Sequence, residues 1–421
     1  MYKIKTLPNG LTLITINLPY LDSVTTLVAV GAGSRYEVKK INGISHFLEH
    51  MFFKGSRKFP TAEKISNLVD GIGAVNNAAT DKEVTYYWIK SSAKHIQLSS
   101  DILSSMIKES LLSEEEIQRE KGVIIEELRM YRDDPSHYVW NLYEFLQFGD
   151  QPLGWDIGGD EKTVNSFNRE DFVKYMGCFY SPKNMTLVYA GNLPKDIEKI
   201  AENYFADLPQ RSIDKFVPFK PIKQIKPKVN VFYKKTDQAH LVLGVQSYDR
   251  YDKKRYAARV LATILGEGMS SRLFIQVRER RGLAYQVSAG FSTYKDTGIL
   301  TVYAGAKLEK VNETIEVIKA ELQRIRSEKA TEEELKKAKE MIRGRLAIRS
   351  ESTNFLAEYF GINFVLDRKI ETFEEVLENI DKVSLEDVQS VAKEILQNKN
   401  FNLQLIGPFK DSNPFVKILR S

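Results

Sequence analysis

The residues with the most chemistry in them are Ser45-His46-Phe47-Leu48-Glu49-His50. In a helix, positions three or four apart project from one face, so His46 and His50 can offer two imidazoles to a single metal, with Glu49 beside them. Neutral imidazole suits zinc, and a catalytic zinc keeps three protein ligands and one open position for water. A carboxylate near that water can take its proton as general base. The bland alternative is two surface histidines flanking an apolar Phe47-Leu48 pair. With five histidines in 421 residues, chance produces this arrangement in on the order of a few chains per thousand. A third ligand is still required.

The order His-x-x-Glu-His inverts the better-known zinc protease pattern. The next carboxylates of interest lie in KGVIIEELRMYRDDP (121–135), which continues a helix opened by SEEEIQRE. Glu120 and Glu127 are two helical turns apart and share a face, whereas Glu126 points elsewhere. A carboxylate from this helix would complete a His2Glu shell. Spacing alone leaves both Glu126 and Glu127 open. His95, His137 and His240 have no ligand-like spacing.

Composition sets the frame around these groups. At 421 residues, 43% hydrophobic and 28% charged, the chain reads as an ordinary globular protein of two or three domains. No apolar run approaches the roughly 18 residues of a membrane helix. The opening MYKIKTLPNGLTLITI carries a turn at Pro8-Asn9-Gly10 and no signal-like apolar core. The single cysteine, Cys178, excludes a disulfide framework or a thiolate zinc cluster and fits a reducing, cytoplasmic setting. Sixty-one basic against 56 acidic residues give a net +5. These charges are interleaved rather than gathered on one element, so a nucleic-acid partner is not expected.

The elements that must position the site come in two sets. Between Leu208 and Val229 lies PQRSIDKFVPFKPIKQIKPK, whose proline density marks a linker at 209–228 between an N-terminal domain, 1–208, and a C-terminal domain, 229–421. Matches recur at an offset of 216 residues. Glu170-Asp171 repeats as Glu386-Asp387, Lys183-Asn184 as Lys399-Asn400, and MTLVYAG (185–191) as FNLQLIG (401–407). Thr85 and Tyr87 likewise match Thr301 and Tyr303, and SEEEI (113–117) matches TEEEL (331–335) at a slightly shifted offset. Alternating strands such as LTLITI and SVTTLVAV, mixed with long amphipathic helices, predict an α+β fold built from two homologous domains.

These segments together resemble the pitrilysin/insulinase-type zinc peptidases, in their mitochondrial processing peptidase-like branch, over nearly the whole chain. The resemblance implies that His46, His50 and Glu127 bind one zinc per chain, that Glu49 is the general base, and that Glu120 supports the site. GAVNNAATDKEVTYY (73–87) looks like the family's substrate-pairing edge strand, with Asn77 and Ala78 in the matching places. GEGMSSRLFIQVRERRGLAYQVSAGF (266–291) resembles its C-terminal signature, with Arg278 and Tyr285 as the pair that approaches substrate. Gln151 departs from the pattern, because many relatives carry histidine there. The repeat takes His46, Glu49 and His50 to Ala262, Leu265 and Gly266, and its shifted form takes Glu127 to Arg345, so the second half keeps no ligands.

The implied activity is zinc-dependent endopeptidase action on unfolded peptides or precursor segments. Larger members of the family close four such domains around a peptide, so a two-domain chain is expected to form a homodimer. The alternatives are a heterodimer with an inactive homologue and a non-catalytic core-type structural subunit.

Overall fold

A computed structural model describes residues 2–420. They form two compact units, each built on one sheet. The first comprises Met1–Arg129, Trp155–Val217 and Ala347–Glu371, and the second Met130–Gly154, Pro218–Leu346 and Thr372–Ser421.

In the first unit, β1 (Tyr2–Thr6), β2 (Thr12–Asn17), β3 (Ser23–Val30), β4 (Val75–Thr80), β5 (Thr85–Ser92) and β6 (Met185–Gly191) are ordered β1-β2-β6-β3-β5-β4. Only β2 and β6 run parallel; the other neighbours are antiparallel. β3 and β6 are buried along almost their whole length, as middle strands covered on both faces are. VNNAAT forms β4 at the open edge.

One face of this sheet, with Val28, Val30, Tyr87 and Ile89, packs against Phe47 and Phe52 of the helix Ile44–Phe52 and against Leu103 and Phe172. The helix Thr353–Asp367 covers the other face. A Cβ on its Gly361 would lie 2.9 Å from Val188 and 3.0 Å from Leu27, and the Thr25 hydroxyl donates to Thr353 Oγ1 at 2.9 Å.

The second unit repeats the plan. β7 (Lys228–Tyr233), β8 (Gln238–Ser247), β9 (Ala284–Thr293), β10 (Gly298–Lys307) and β11 (Asn402–Gly407) are ordered β7-β11-β8-β10-β9. This is the order β2-β6-β3-β5-β4 again. Thr12 pairs with Thr186 and Lys228 with Asn402, so the parallel pair joins residues 174 apart in both sheets. The 216-residue repeat is therefore a repeat of strand order, and in the parallel pair of register as well. One face packs on the helices Arg255–Gly266, Val311–Ser327 and Leu385–Ile395. On the other, Val139, Tyr143 and Phe148 of the helix Pro135–Phe148 meet Val242, Ile299, Tyr303 and Ile406.

The compact units do not coincide with a cut at 209–228. Pro135–Phe148 belongs to the second unit and Thr353–Asp367 to the first. Each sheet has two apolar faces to bury, and each uses one helix from the other half of the chain for the second face. The proline-rich segment is also more than a spacer. Phe216 packs on Tyr36 and Arg35 in the first unit, and Phe219 is buried beside Phe148 in the second. No helix among the described residues is long and apolar enough to cross a membrane.

Candidate metal centre

The helix Ile44–Phe52 buries Ile44, Phe47, Leu48, Met51 and Phe52 in the core, which turns His46, Glu49 and His50 outward on the opposite face. Its start has an unusual cap. Gly43 sits at φ +98° with no side chain to offer, and a Cβ there would meet the Gly158 carbonyl oxygen at 2.5 Å. The buried carboxylate of Glu37 caps the helix instead, accepting from the Gly43 and Ser45 N–H groups at 2.8 Å each and from Asn42 Nδ2 at 3.0 Å. Burial pushes the Glu37 carboxyl up to about 7, against the pull of these hydrogen bonds.

The long helix Glu114–Asp133 buries Ile117, Glu120, Ile124 and Leu128. One turn from the buried row, Glu127 meets both histidines: its Oε1 lies 3.7 Å from His46 Nε2 and its Oε2 lies 3.4 Å from His50 Nε2. The three donor sets lie within 4.8 Å of one another. Ligands at about 2.0–2.2 Å in a tetrahedral zinc shell stand roughly 3.3 Å apart, so these residues fit zinc in donor type and in spacing. Glu126 is exposed and pairs with Arg129 at 2.6 Å. Of the two glutamates that spacing left open, Glu127 faces the histidines.

Glu120 stands behind His50. Its Oε1 lies 2.9 Å from His50 Nδ1, and its Oε2 lies 2.6 Å from Lys54 Nζ. Burial opposes ionisation of Glu120, but the His50 and Lys54 contacts win and hold its carboxyl below the usual range. Burial likewise opposes a proton on His50, yet hydrogen bonds to Glu120 and Glu127 lift it to about 9. His46 is pushed down to about 4 by burial and by the neighbouring His50. Glu49 is raised by burial and held back by a 2.5 Å hydrogen bond from Thr80 Oγ1.

Thr80 ends β4, the edge strand that also carries Asn77 and Ala78. Asn77 is exposed, Ala78 half-buried, and Asn77 Oδ1 accepts from the Ala78 N–H at 2.9 Å. Arg278 and Tyr285 belong to the second unit. The Arg278 guanidinium lies 4.9 Å from the Phe274 ring and 5.0 Å from that of Tyr285, which is 76% exposed. Gln151 bonds the Phe148 and Lys220 backbone, a loop-holding role.

The second unit shows why its equivalent helix has no ligands. Ala262 and Leu265 are fully buried, and a Cβ at Gly266 would come within 2.1 Å of Ala289 N on β9. That helix lies flush on its edge strand. Arg345, at the Glu127 position, pairs with Glu267 at 2.6 Å. Among the described residues the His46, His50 and Glu127 group is the one cluster arranged to hold a metal.

Residues 12–160 match the model of insulinase (peptidase family M16), and residues 166–342 match that of the peptidase M16 inactive domain. An uncharacterized zinc protease, YmxG of Bacillus subtilis, is 37% identical over 97% of this chain and 98% of its own length. The chain belongs to peptidase family M16. Another M16 relative, an uncharacterized zinc protease of Rickettsia felis, is 36% identical over 97% of this chain and 98% of its own. The M16 fold extends to a solved protease from Helicobacter pylori, with a TM-score of 0.91 at 23% identity, covering 97% of this chain and 99% of that one. A chain of Complex III2 from Candida albicans is similar at TM-score 0.84 and 19% identity, covering 99% of each.

The motif reading missed four groups around the site: Glu37, Lys54, Thr80 and Asp156. Lys54 follows His50 by one helical turn and carried a readable signal. The others reach the site through tertiary placement alone.

Proposed function

We propose that this M16 chain is a zinc endopeptidase acting on unfolded peptides or precursor segments. The observation that carries this reading is the convergence of His46, His50 and Glu127, each with one donor atom within 4.8 Å of the others, with Glu49 on the same helix face. When bound, zinc would supply Lewis acidity to the attacking water and to the peptide carbonyl. Glu49, anchored through Oε2 by Thr80, takes the water proton and returns it to the leaving amine. Glu120 fixes the His50 ring and its tautomer. The peptide adds to the open edge of β4 by main-chain hydrogen bonds, beside Asn77 and Ala78. Arg278 and Tyr285 stabilise the negative charge developing on the carbonyl oxygen.

One zinc per chain, a homodimer and a cytoplasmic location complete the reading. The ligand-free second unit supports the stoichiometry, and the single Cys178 supports the compartment. A non-catalytic structural subunit is the second reading, favoured by the likeness to a Complex III2 chain. The intact donor set weighs against it. Zinc content measured together with quenched-peptide cleavage tests the proposal: one zinc per chain with cleavage supports the enzyme, and zinc without cleavage supports the scaffold.

A further inference from the structure

Glu120 joins two groups of the site through its two oxygens. Oε1 lies 2.9 Å from His50 Nδ1, and Oε2 lies 2.6 Å from Lys54 Nζ. The residue is only 2% exposed. Apart from the ion pair with Lys54, Oε2 is buried without a hydrogen-bond partner among the described residues. A buried carboxylate is costly unless it is both paired and hydrogen-bonded. Ligating a metal through Nε2 requires the neutral imidazole, which still donates from Nδ1 but carries no charge. With His50 in that form, the side-chain charge that remains in contact with Glu120 is that of Lys54.

The backbone brings Lys54 to this place from the element that carries His46 and His50. The helix Ile44–Phe52 closes just beyond its end, with Phe53 N donating to the His50 carbonyl at 3.2 Å and Lys54 N to that of Met51 at 3.1 Å. A side chain four positions after His50 stands over the same helix face. The chain then turns away at Gly55, where φ is +136° and a Cβ would come within 2.4 Å of the Pro60 carbonyl oxygen. Arg57 N donates to the Glu109 carbonyl at 3.0 Å and Leu111 N to that of Gly55 at 3.1 Å, while the Ser56 and Ser105 hydroxyls lie 2.7 Å apart. The segment after Lys54 is thereby tied to the helix Ile96–Glu109 and to the residues leading into Glu114–Asp133, the helix that carries Glu120 and Glu127. Backbone on both sides holds the pair together, and the Lys54 side chain is 26% exposed.

We propose that Lys54 is a positioning residue of the metal centre. It holds Glu120 Oε2, so that Oε1 stays fixed on His50 Nδ1 and His50 Nε2 stays aimed at Glu127. Lys54 acts on the metal only through Glu120, and a single turn of chain supplies both a ligand and the group that steadies that ligand from behind. An ion pair that served the fold alone would matter equally whatever Glu120 did for His50. This inference rests on the reading that His46, His50 and Glu127 hold zinc.

The test is zinc affinity of the full chain, measured by competition with a chromophoric chelator in a double-mutant cycle of Lys54→Met with Glu120→Gln. Methionine keeps an unbranched stem and removes the charge. Lys54→Met should weaken zinc binding by about 10-fold, the low end for losing an outer partner of a ligand. Lys54→Arg keeps a positive charge and should recover most of that loss. In the Glu120→Gln chain, itself weakened, adding Lys54→Met should change affinity by less than about 2-fold. Melting temperatures of the metal-free variants report the fold separately. General loosening would disturb both histidines, so the zinc-loaded proteins are also labelled with 15N histidine. The His50 Nδ1–H signal should move or broaden in Lys54→Met, with the His46 signals unchanged. Wild-type affinity in Lys54→Met overturns the proposal, and so does an equal loss in both backgrounds, which would make Lys54 act independently of Glu120. Failure of the wild type to bind zinc overturns the metal-site reading beneath, and the proposal with it.

Discussion

Thr80 donates its hydroxyl hydrogen to Glu49 Oε2 at 2.5 Å, tying the end of the open edge strand to the carboxylate on the helix that carries His46 and His50. The bond favours ionised Glu49, against the burial that raises its carboxyl. Thr80→Val should therefore raise the Glu49 pKa further and move the acid limb of the kcat/KM profile to higher pH, with kcat at neutral pH reduced by about 10-fold. Thr80→Ser should restore both. An unmoved acid limb in Thr80→Val would separate Thr80 from the base.

Removing the proposed base separates chemistry from metal binding. Glu49 faces the site but is not among the converging ligands, so Glu49→Gln should keep wild-type zinc content and lose cleavage by about 10²- to 10⁴-fold. Substantial residual cleavage would remove Glu49 from the base role.

The two neighbouring glutamates of the long helix should behave oppositely. Zinc bound to the folded state stabilises it by mass action, so a chelator should lower the melting temperature of the wild type. Glu127→Gln should abolish that shift by deleting a ligand. Glu126→Gln should preserve it, because Glu126 is exposed and engaged with Arg129. Differential scanning calorimetry with and without chelator reads both.

That contrast shows which parts of the site can be read along the chain. His46, Glu49 and His50 are legible because one helix presents all three through local periodicity, and Glu120 with Glu127 because two turns separate them on another. The choice between Glu126 and Glu127 needs the angle at which the two helices meet, which helical period does not encode. Thr80 and Asp156 reach the site from a strand end and a turn, so no spacing connects them to His46. The α+β class and the repeated strand order follow from alternation and from the 216-residue offset. The exchange of Pro135–Phe148 and Thr353–Asp367 between units does not, since both helices are apolar enough to cover either sheet.

Glu37 gives the fold a pH dependence of known sign. An unfolded glutamate titrates near 4.5 and the folded Glu37 near 7, so the folded state binds the extra proton between these values. The contribution is fully present below about pH 4.5 and is lost as pH rises through 7, a change of roughly 3 kcal/mol at about 1.4 kcal/mol per unit. His46, depressed to about 4, acts in the opposite direction over much of this range. The readout is therefore the stability difference between wild type and Glu37→Gln, from urea unfolding of the metal-free protein. Loss of the helix cap should leave Glu37→Gln less stable, and the wild-type advantage should shrink from pH 4.5 to 7. A difference that stays flat with pH would show that Glu37 keeps its charge throughout.

Assembly can be tested through the residues of the second unit. Arg278 is held between the Phe274 and Tyr285 rings, which fixes its guanidinium beside an exposed tyrosine before any substrate arrives. If the working protein is a homodimer whose Arg278 and Tyr285 serve the partner's zinc, a Glu49→Gln chain and an Arg278→Ala chain, each inactive alone, complement each other when mixed. The hybrid then has one site with an intact Glu49 and an intact Arg278 from the other chain, and random pairing makes half the dimers hybrid. Cleavage should recover to about one quarter of the wild-type rate per chain, because half of the dimers carry one competent site of two. Recovery should require subunit exchange, so mixing after chemical cross-linking of each parent dimer should give none. No recovery after full exchange would place Arg278 in service of the zinc on its own chain.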